Sequence, residues 1–317
     1  MLNLDHRYLG IIVALMTVSI WAVFIVATRF SVSTSFTVEE VLFLRLVPST
    51  LIMAPFMIKY DLIPRGLSWL KAGMLMIGAS AVFPYIVSSG LSFAPASDGG
   101  VLAPGMLPFW TALAAFLILG EKLDQIRRAG LFVILIGALL VGLWQILFDS
   151  NEGVWRGHIL FLIGSGLFAV YSVIFRQSGL TPLHGLLIGL FWGSLFIIPI
   201  LLLTGRVNFH NVSALDIGMT IVIQSLIIGI LATILFNYGV RLIGASEMGA
   251  FGALTPILAM LGGIMFLNET VPAIKMVGIF LVAIGVFLAS GILKLKSHKN
   301  EKSLGKEHYR NDTRNQI

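Results

Sequence analysis

Long apolar stretches separated by short polar breaks run through almost the whole chain. Ten of them, at approximately 8–28, 40–58, 69–93, 97–119, 125–147, 156–176, 182–204, 217–241, 246–267 and 272–293, come near the roughly 20 residues that a helix needs to cross the hydrocarbon. The connections are short, so neighbouring helices are expected to run antiparallel. The widest polar break inside the series, Phe148 to Arg156, falls between the fifth and sixth stretches. The pattern therefore predicts a five-helix unit over 1–148, a linker at 149–155, a second five-helix unit over 156–293 and a basic tail over 294–317. The tail is polar enough to be expected disordered.

Composition narrows the class. The chain is 57% hydrophobic and 11% charged, against about 25% charged residues in soluble domains. There is too little charge to cover a soluble surface, and a multi-pass membrane protein follows. With no cysteine, disulfides, thiolate catalysis and Cys-zinc or iron–sulfur sites are excluded. The net charge of +6 does not point to nucleic acid, because seven of the 21 Lys and Arg residues crowd into the tail. A basic tail beside a membrane helix is a topology signal. Arg7 precedes a long apolar run with no small-residue cleavage site, so the first helix reads as retained. If the N-terminus is cytoplasmic, sixteen of the 21 basic residues fall on the cytoplasmic side, which places both termini there.

The chain also repeats itself. Glu121 and Glu269 lie 148 residues apart, each 13 residues after a proline, Pro108 and Pro256. Gly130 and Gly137 follow the first Glu at the same spacings as Gly278 and Gly285 follow the second, and Ala96-Ser97-Asp98 answers Ala245-Ser246-Glu247. A repeat of this length sets the architecture. Because each unit has an odd number of helices, the second must enter the membrane upside down. The expected fold is an all-α bundle of ten transmembrane helices, built as two inverted five-helix repeats. Inverted repeats give exchangeable gates around a midplane site.

The Trp21 segment, Arg45 near the start of the second stretch, the blocks ending Gly120-Glu121 and Asn268-Glu269, and residues 245–289 resemble the drug/metabolite transporter superfamily, in particular its ten-helix EamA-type family. The resemblance covers about 10–293. It implies an inner-membrane carrier of small metabolites, often an exporter, without naming a substrate. The chain departs from the family in Asp98, where a small or neutral residue is more usual, and in the extra Pro104-Gly105 break.

Candidate functional residues have competing roles. Asp98 and Glu247, at repeat-related helix starts, suit either gating with proton coupling or helix capping. Glu121 and Glu269 suit a gate lock or, the favoured reading, acceptance of hydrogen bonds from the turn into the next helix. Arg45 can attract an anionic substrate, pair with Glu39, Glu40 or Asp98, or reach the interface. Pro108 and Pro256 are expected to kink helices beside a central cavity. Trp21, Tyr85, Ser88, Trp110, Tyr171, Gln224 and Thr233 supply bulk or polar handles suited to a metabolite cavity, with Asn237 beside them. Tyr238 and Arg241 end the eighth stretch and suit a gate; for Arg241 the alternative is a topology anchor. Gly164-Ser165-Gly166-Leu167-Phe168-Ala169 matches a dinucleotide pattern but lies inside a helix, where small residues serve packing. No His spacing fits a metal.

The expected activity is alternating-access transport of a small organic metabolite in a lipid bilayer, with no cofactor or metal. The proton is a candidate coupling ion, and no oligomer is required to complete the path. A membrane-embedded enzyme and a structural or sensory membrane protein are the alternatives.

Overall fold

The computed structural model describes residues 4–64, 66–148, 153–210, 212–243, 248 and 250–290, and the regular secondary structure of these residues is entirely helical. In chain order the helices are α1 (Leu4–Thr34), α2 (Val38–Met57), α3 (Trp69–Phe93), α4 (Ala96–Leu119), α5 (Gln125–Phe148), α6 (Val154–Ser178) and α7 (Pro182–Leu203). Then come α8, which runs as Ala214–Ile221, Val222–Leu231 and Ala232–Ile243, α9 (Leu254–Leu267) and α10 (Ala273–Ala289). Eight of these have the length and apolar character to cross a membrane, while α9 and α10 are shorter apolar helices. Large apolar side chains cover the outside, Leu203 at 86% exposure and Leu117 at 71% among them. Such a surface needs lipid around it, because helices satisfy their own backbone polar groups and leave only side chains for the solvent.

Local chemistry sets the helix ends. Thr37 caps α2 in a capping box with Glu40, and Ser68, Thr181 and Ser213 cap α3, α7 and α8 through their hydroxyls. At the other ends, α4 stops at Gly120 (φ 66°) and α9 at Asn268 (φ 54°). Both are left-handed, a conformation that glycine and asparagine enter most easily. In both turns the following glutamate N–H returns to a carbonyl six residues back, Glu121 to Ala115 and Glu269 to Gly263.

The repeated glycines form a seam between α5 and α10. A Cβ on Gly137 would lie 2.5 Å from the Gly278 carbonyl oxygen, and one on Gly285 would lie 2.7 Å from that of Gly130. Gly130 thus faces Gly285 while Gly137 faces Gly278, so the two helices run antiparallel with their backbones in contact. Small residues permit this approach where apolar solvent supplies no drive for burial.

Three helices are not regular α throughout. Wide π turns occupy Met76–Ser80 in α3, Val101–Gly105 in α4 and Val222–Leu231 in α8. The first and third are repeat-related, since 76 and 80 shifted by 148 fall within 222–231. In the π register Ala103's carbonyl would look to Pro108, which carries no N–H. Ser165 Oγ donates to that carbonyl instead, at 2.7 Å. Pro108 and Pro256 both stand in the first turn of a helical stretch that resumes after an irregularity, Leu107–Leu119 and Leu254–Leu267. The hydropathy pattern placed them mid-helix because an apolar run does not register such breaks.

Candidate functional site

At the end of the bundle where α4, α6 and α10 begin, Asp98 is fully buried. Lys275 Nζ donates to both of its carboxylate oxygens at 3.0 Å, and His158 Nε2 lies 2.8 Å from Oδ2. Ser97 Oγ adds a fourth contact at 3.3 Å. Lys275 and His158 are themselves 4% and 6% exposed. One ammonium faces one carboxylate, with the His158 ring closing the cluster from the other side. A buried pair of this kind is held by such geometry rather than by bulk stabilisation. Asp98 is therefore not the cap of its helix.

The capping is done from elsewhere. The Glu269 carboxylate accepts the Ala96 N–H through both oxygens, at 2.9 and 3.0 Å, with Arg29 Nε 3.6 Å away. Arg29 also donates to the Leu91 carbonyl. A Cβ at Gly263 would come within 2.5 Å of Glu269 Oε2, so this glycine makes the room in which the carboxylate lies. Glu269 thus serves a helix start 173 residues away rather than its own turn. Burial pushes the Glu269 carboxyl above the ordinary carboxylate range, partly opposed by the Ala96 N–H and by Arg29.

A third polar cluster lies at the same end. Glu39 accepts from Arg206 Nη1 at 2.9 Å and from the Tyr85 hydroxyl at 3.2 Å. Glu40 accepts the N–H groups of Thr37, Asn208 and Phe209. At the opposite end the contacts are looser. Glu121 pairs with Arg176, the two side chains 47% and 58% exposed, and Asp124 pairs with Arg127 at 3.8 Å.

Between the ends lies a narrow cleft with a cavity volume of about 30 Å³, room for no more than a water or two. Arg45 and Ser49 line it from α2, Ser80 from α3, Tyr171 from α6, and Gly229 and Thr233 from α8, with an apolar wall of Leu186 and Leu190 from α7. Ser80 and Gly229 belong to the two repeat-related π turns. Arg45 Nη1 is buried with no hydrogen-bond partner, and its guanidinium sits 5.2 Å from the Phe24 ring centre.

The structure brings Arg45, Tyr171 and Thr233 together in this cleft and places the other expected site residues elsewhere. Tyr85 serves Glu39. Gln224 donates to Thr28 at 2.9 Å. Trp21 packs on Phe236. Trp110 packs on Phe109 with its Nε1 buried and unbonded, Ser88 is buried in α3, and Tyr238 is 45% exposed. Pro256 packs against Gly100 and Gly105 instead of lining the cleft. Glu247 and the side chains of Asn237 and Arg241 lie outside the described residues. Sequence reasoning missed Lys275, read as a topology charge, and His158, set aside for lack of metal spacing. Their one visible signal was an ionisable residue at the start of an apolar stretch.

An all-helical molecule with an apolar exterior, eight membrane-capable helices and ionic groups gathered inside is a multi-pass membrane protein. The EamA-like transporter family model matches residues 8–143 and again 155–291. The chain belongs to that family, within the drug/metabolite transporter superfamily, and is a membrane transporter. It is similar to the uncharacterized transporter YyaM of Bacillus subtilis (strain 168), at 27% identity over 64% of this chain and 67% of the relative. It also resembles a chloroplastic WAT1-related protein of Arabidopsis thaliana, at 24% identity over 78% of this chain and 61% of that relative's length. A solved crystal structure aligns with 88% of this chain and 96% of its own, with a TM-score of 0.58 and 14% identity, a likeness of fold alone.

Proposed function

We propose that this protein moves a small organic metabolite across the bacterial inner membrane by alternating access, with the Arg45 cleft as its substrate site. In this reading ten helices span the bilayer as two inverted halves, 1–148 and 156–293, joined at 149–155 and followed by a basic cytoplasmic tail. The antiparallel packing of α5 on α10, through glycines at matching repeat positions, supports the inversion. The basic-residue distribution puts both termini, and the Glu121 turn, on the cytoplasmic side. The Asp98 end then faces out.

One observation carries the mechanism: the two ends are held unequally. The outer end is tied by the Asp98–Lys275–His158 cluster and by Glu269 on Ala96, both joining the two halves. Among the described residues, the Glu121–Arg176 pair of the inner end is solvent-exposed and the Asp124–Arg127 pair is long. This is the arrangement of a carrier shut outside and released inside. Asp98 is the proposed proton-coupling residue, because protonating it would dismiss the charge that Lys275 balances and loosen the outer latch. A single chain contains both halves, so no oligomer is needed.

Counterflow into proteoliposomes with amino acids, nucleosides, sugars and quaternary amines tests the reading. Saturable exchange of one class is expected, with Asp98→Asn flattening its pH dependence. Folded, reconstituted protein that exchanges nothing in a saturable manner would remove the transport assignment. An unchanged pH profile in Asp98→Asn would remove Asp98 as the coupling group.

A further inference from the structure

We infer that the cleft is an anion site, and that the substrate carries a single carboxylate held by the Arg45 guanidinium. This rests on the reading of the cleft as the transport site and names its substrate class. Arg45 lies seven residues into α2, about 10 Å along the helix at 1.5 Å per residue, or roughly a third of the way through a 30 Å hydrocarbon layer. A charged side chain at that depth is costly and faces a partner or a solute path.

Among the described residues, the acidic groups nearest this end of the bundle are committed elsewhere. Glu39 is held by Arg206 and Tyr85, Glu40 by three backbone N–H groups, and Asp98 by Lys275 and His158. Among the described residues no carboxylate lines the cleft. Phe24 covers the guanidinium from one side, which satisfies part of its charge but none of its donors. The buried Nη1 is left without an acceptor. Leaving a buried charged donor unmatched costs more than leaving a neutral one, so the position is explained by an acceptor that comes and goes.

The surroundings fit that acceptor. The hydroxyls of Ser80 and Tyr171 line the same cleft and make no hydrogen bond to any described residue. Ser80 is set on a π turn, a device that recurs at functional sites. One guanidinium offers a planar fork to one carboxylate and compensates one charge. A dianion would bring a second charge with nothing to balance it, and an ammonium group would find no counter-charge on these walls. Leu186 and Leu190 provide an apolar surface for the remainder of the molecule once the cleft widens beyond its present volume of about 30 Å³. The chemistry selected is an organic monocarboxylate with an apolar or hydroxylated body.

Thermal unfolding of the purified full chain in detergent, with matched acids and amides, tests this directly. The pairs are benzoate and benzamide, phenylacetate and phenylacetamide, lactate and lactamide. At least one acid is expected to stabilise the wild type saturably, with its amide weaker by about tenfold or more. Arg45→Met should abolish the difference. Arg45→Lys, which keeps the charge without the fork, should retain part of it and carries the test if the Met variant does not fold. Equal stabilisation by acid and amide, no stabilisation by any of the three acids, or acid preference surviving in Arg45→Met would each overturn the inference. Saturable counterflow of neutral solutes with no acid preference would overturn it while leaving the transport reading intact. Acid binding by a protein that transports nothing would do the reverse.

Discussion

The turns at Glu121 and Glu269 share one backbone and have opposite side-chain fates. Each follows a left-handed residue, and each returns its N–H to the carbonyl six positions back. Yet Glu269 folds inward to cap a helix of the other half, while Glu121 reaches outward to an exposed arginine. The two sites also differ by one methyl group. Gly263 leaves the space in which the Glu269 carboxylate lies, and the residue 148 positions earlier is Ala115. An alanine Cβ at the corresponding point is expected to deny Glu121 the inward pose, which Ala115→Gly tests. Two copies of a motif can therefore keep the same fold and be given unequal strength by a single buried substitution.

The largest way to break this contrast lies beneath the Glu269 contact. Asp98→Asn takes the carboxylate away from a buried ammonium, and a loss of about 3–5 kcal/mol is expected. Adding Lys275→Met should restore much of it, because the second change removes the charge that the first leaves behind. Glu121→Gln at the exposed end should shift stability by only a few tenths of a kcal/mol, as for other surface pairs. Thermal unfolding of the four proteins in one detergent decides it. A double variant no more stable than Asp98→Asn alone would mean that charge balance does not hold this end.

Gly263→Ala sharpens the comparison next. It should expel the Glu269 carboxylate from Ala96 and cost about 1–3 kcal/mol through overpacking. Ala115→Gly, its mirror, should cost no more than the roughly 1 kcal/mol of a glycine in a helix, offset by whatever Glu121 gains on turning inward. Protease accessibility of the α9–α10 turn in Gly263→Ala, set against that of the α4–α5 turn in Ala115→Gly, gives an independent readout.

The smallest effect is in pH. Burial raises the Glu269 carboxyl above its ordinary 4.5, with the Ala96 N–H and Arg29 pulling it down and Asp98 pushing it up. The folded protein then binds this proton more tightly than the unfolded chain does. Its contribution to stability is present below pH 4.5 and declines as pH rises from there through the raised value. The stability of wild type relative to Glu269→Gln should therefore fall as pH rises across that window. A relative stability that rises with pH would overturn this and show the carboxylate, not the acid, to be the favoured form.

Much of this architecture was legible in the residue pattern, because membrane helices announce themselves through length and hydropathy. The spacing of Gly130, Gly137, Gly278 and Gly285 marked positions that prove to touch across α5 and α10. Asp98 stood out as a carboxylate where the family prefers none. Its partners did not, because His158 and Lys275 lie 60 and 177 residues away and only the packing of α4, α6 and α10 brings them together. Glu269 was read as bonding its own turn, since nothing in the spacing tells a local acceptor from a distant one. Pro108 was read as a mid-helix kink because an α-helix and a π turn have the same hydropathy. The cleft drew on five helices, and only Arg45, Tyr171 and Thr233 among its walls were singled out beforehand.

The glycine seam of α5 and α10 also restricts how the sequence can drift. Where two side chains touch, growth on one helix can be answered by shrinkage on the other, and a lineage can pass through paired changes. Here each glycine lies against the main chain of its counterpart, and the counterpart is already glycine. No smaller residue exists to absorb an added methyl group. The four positions are therefore closed to reciprocal replacement, and only a displacement of a whole helix would make room for a change at any one of them.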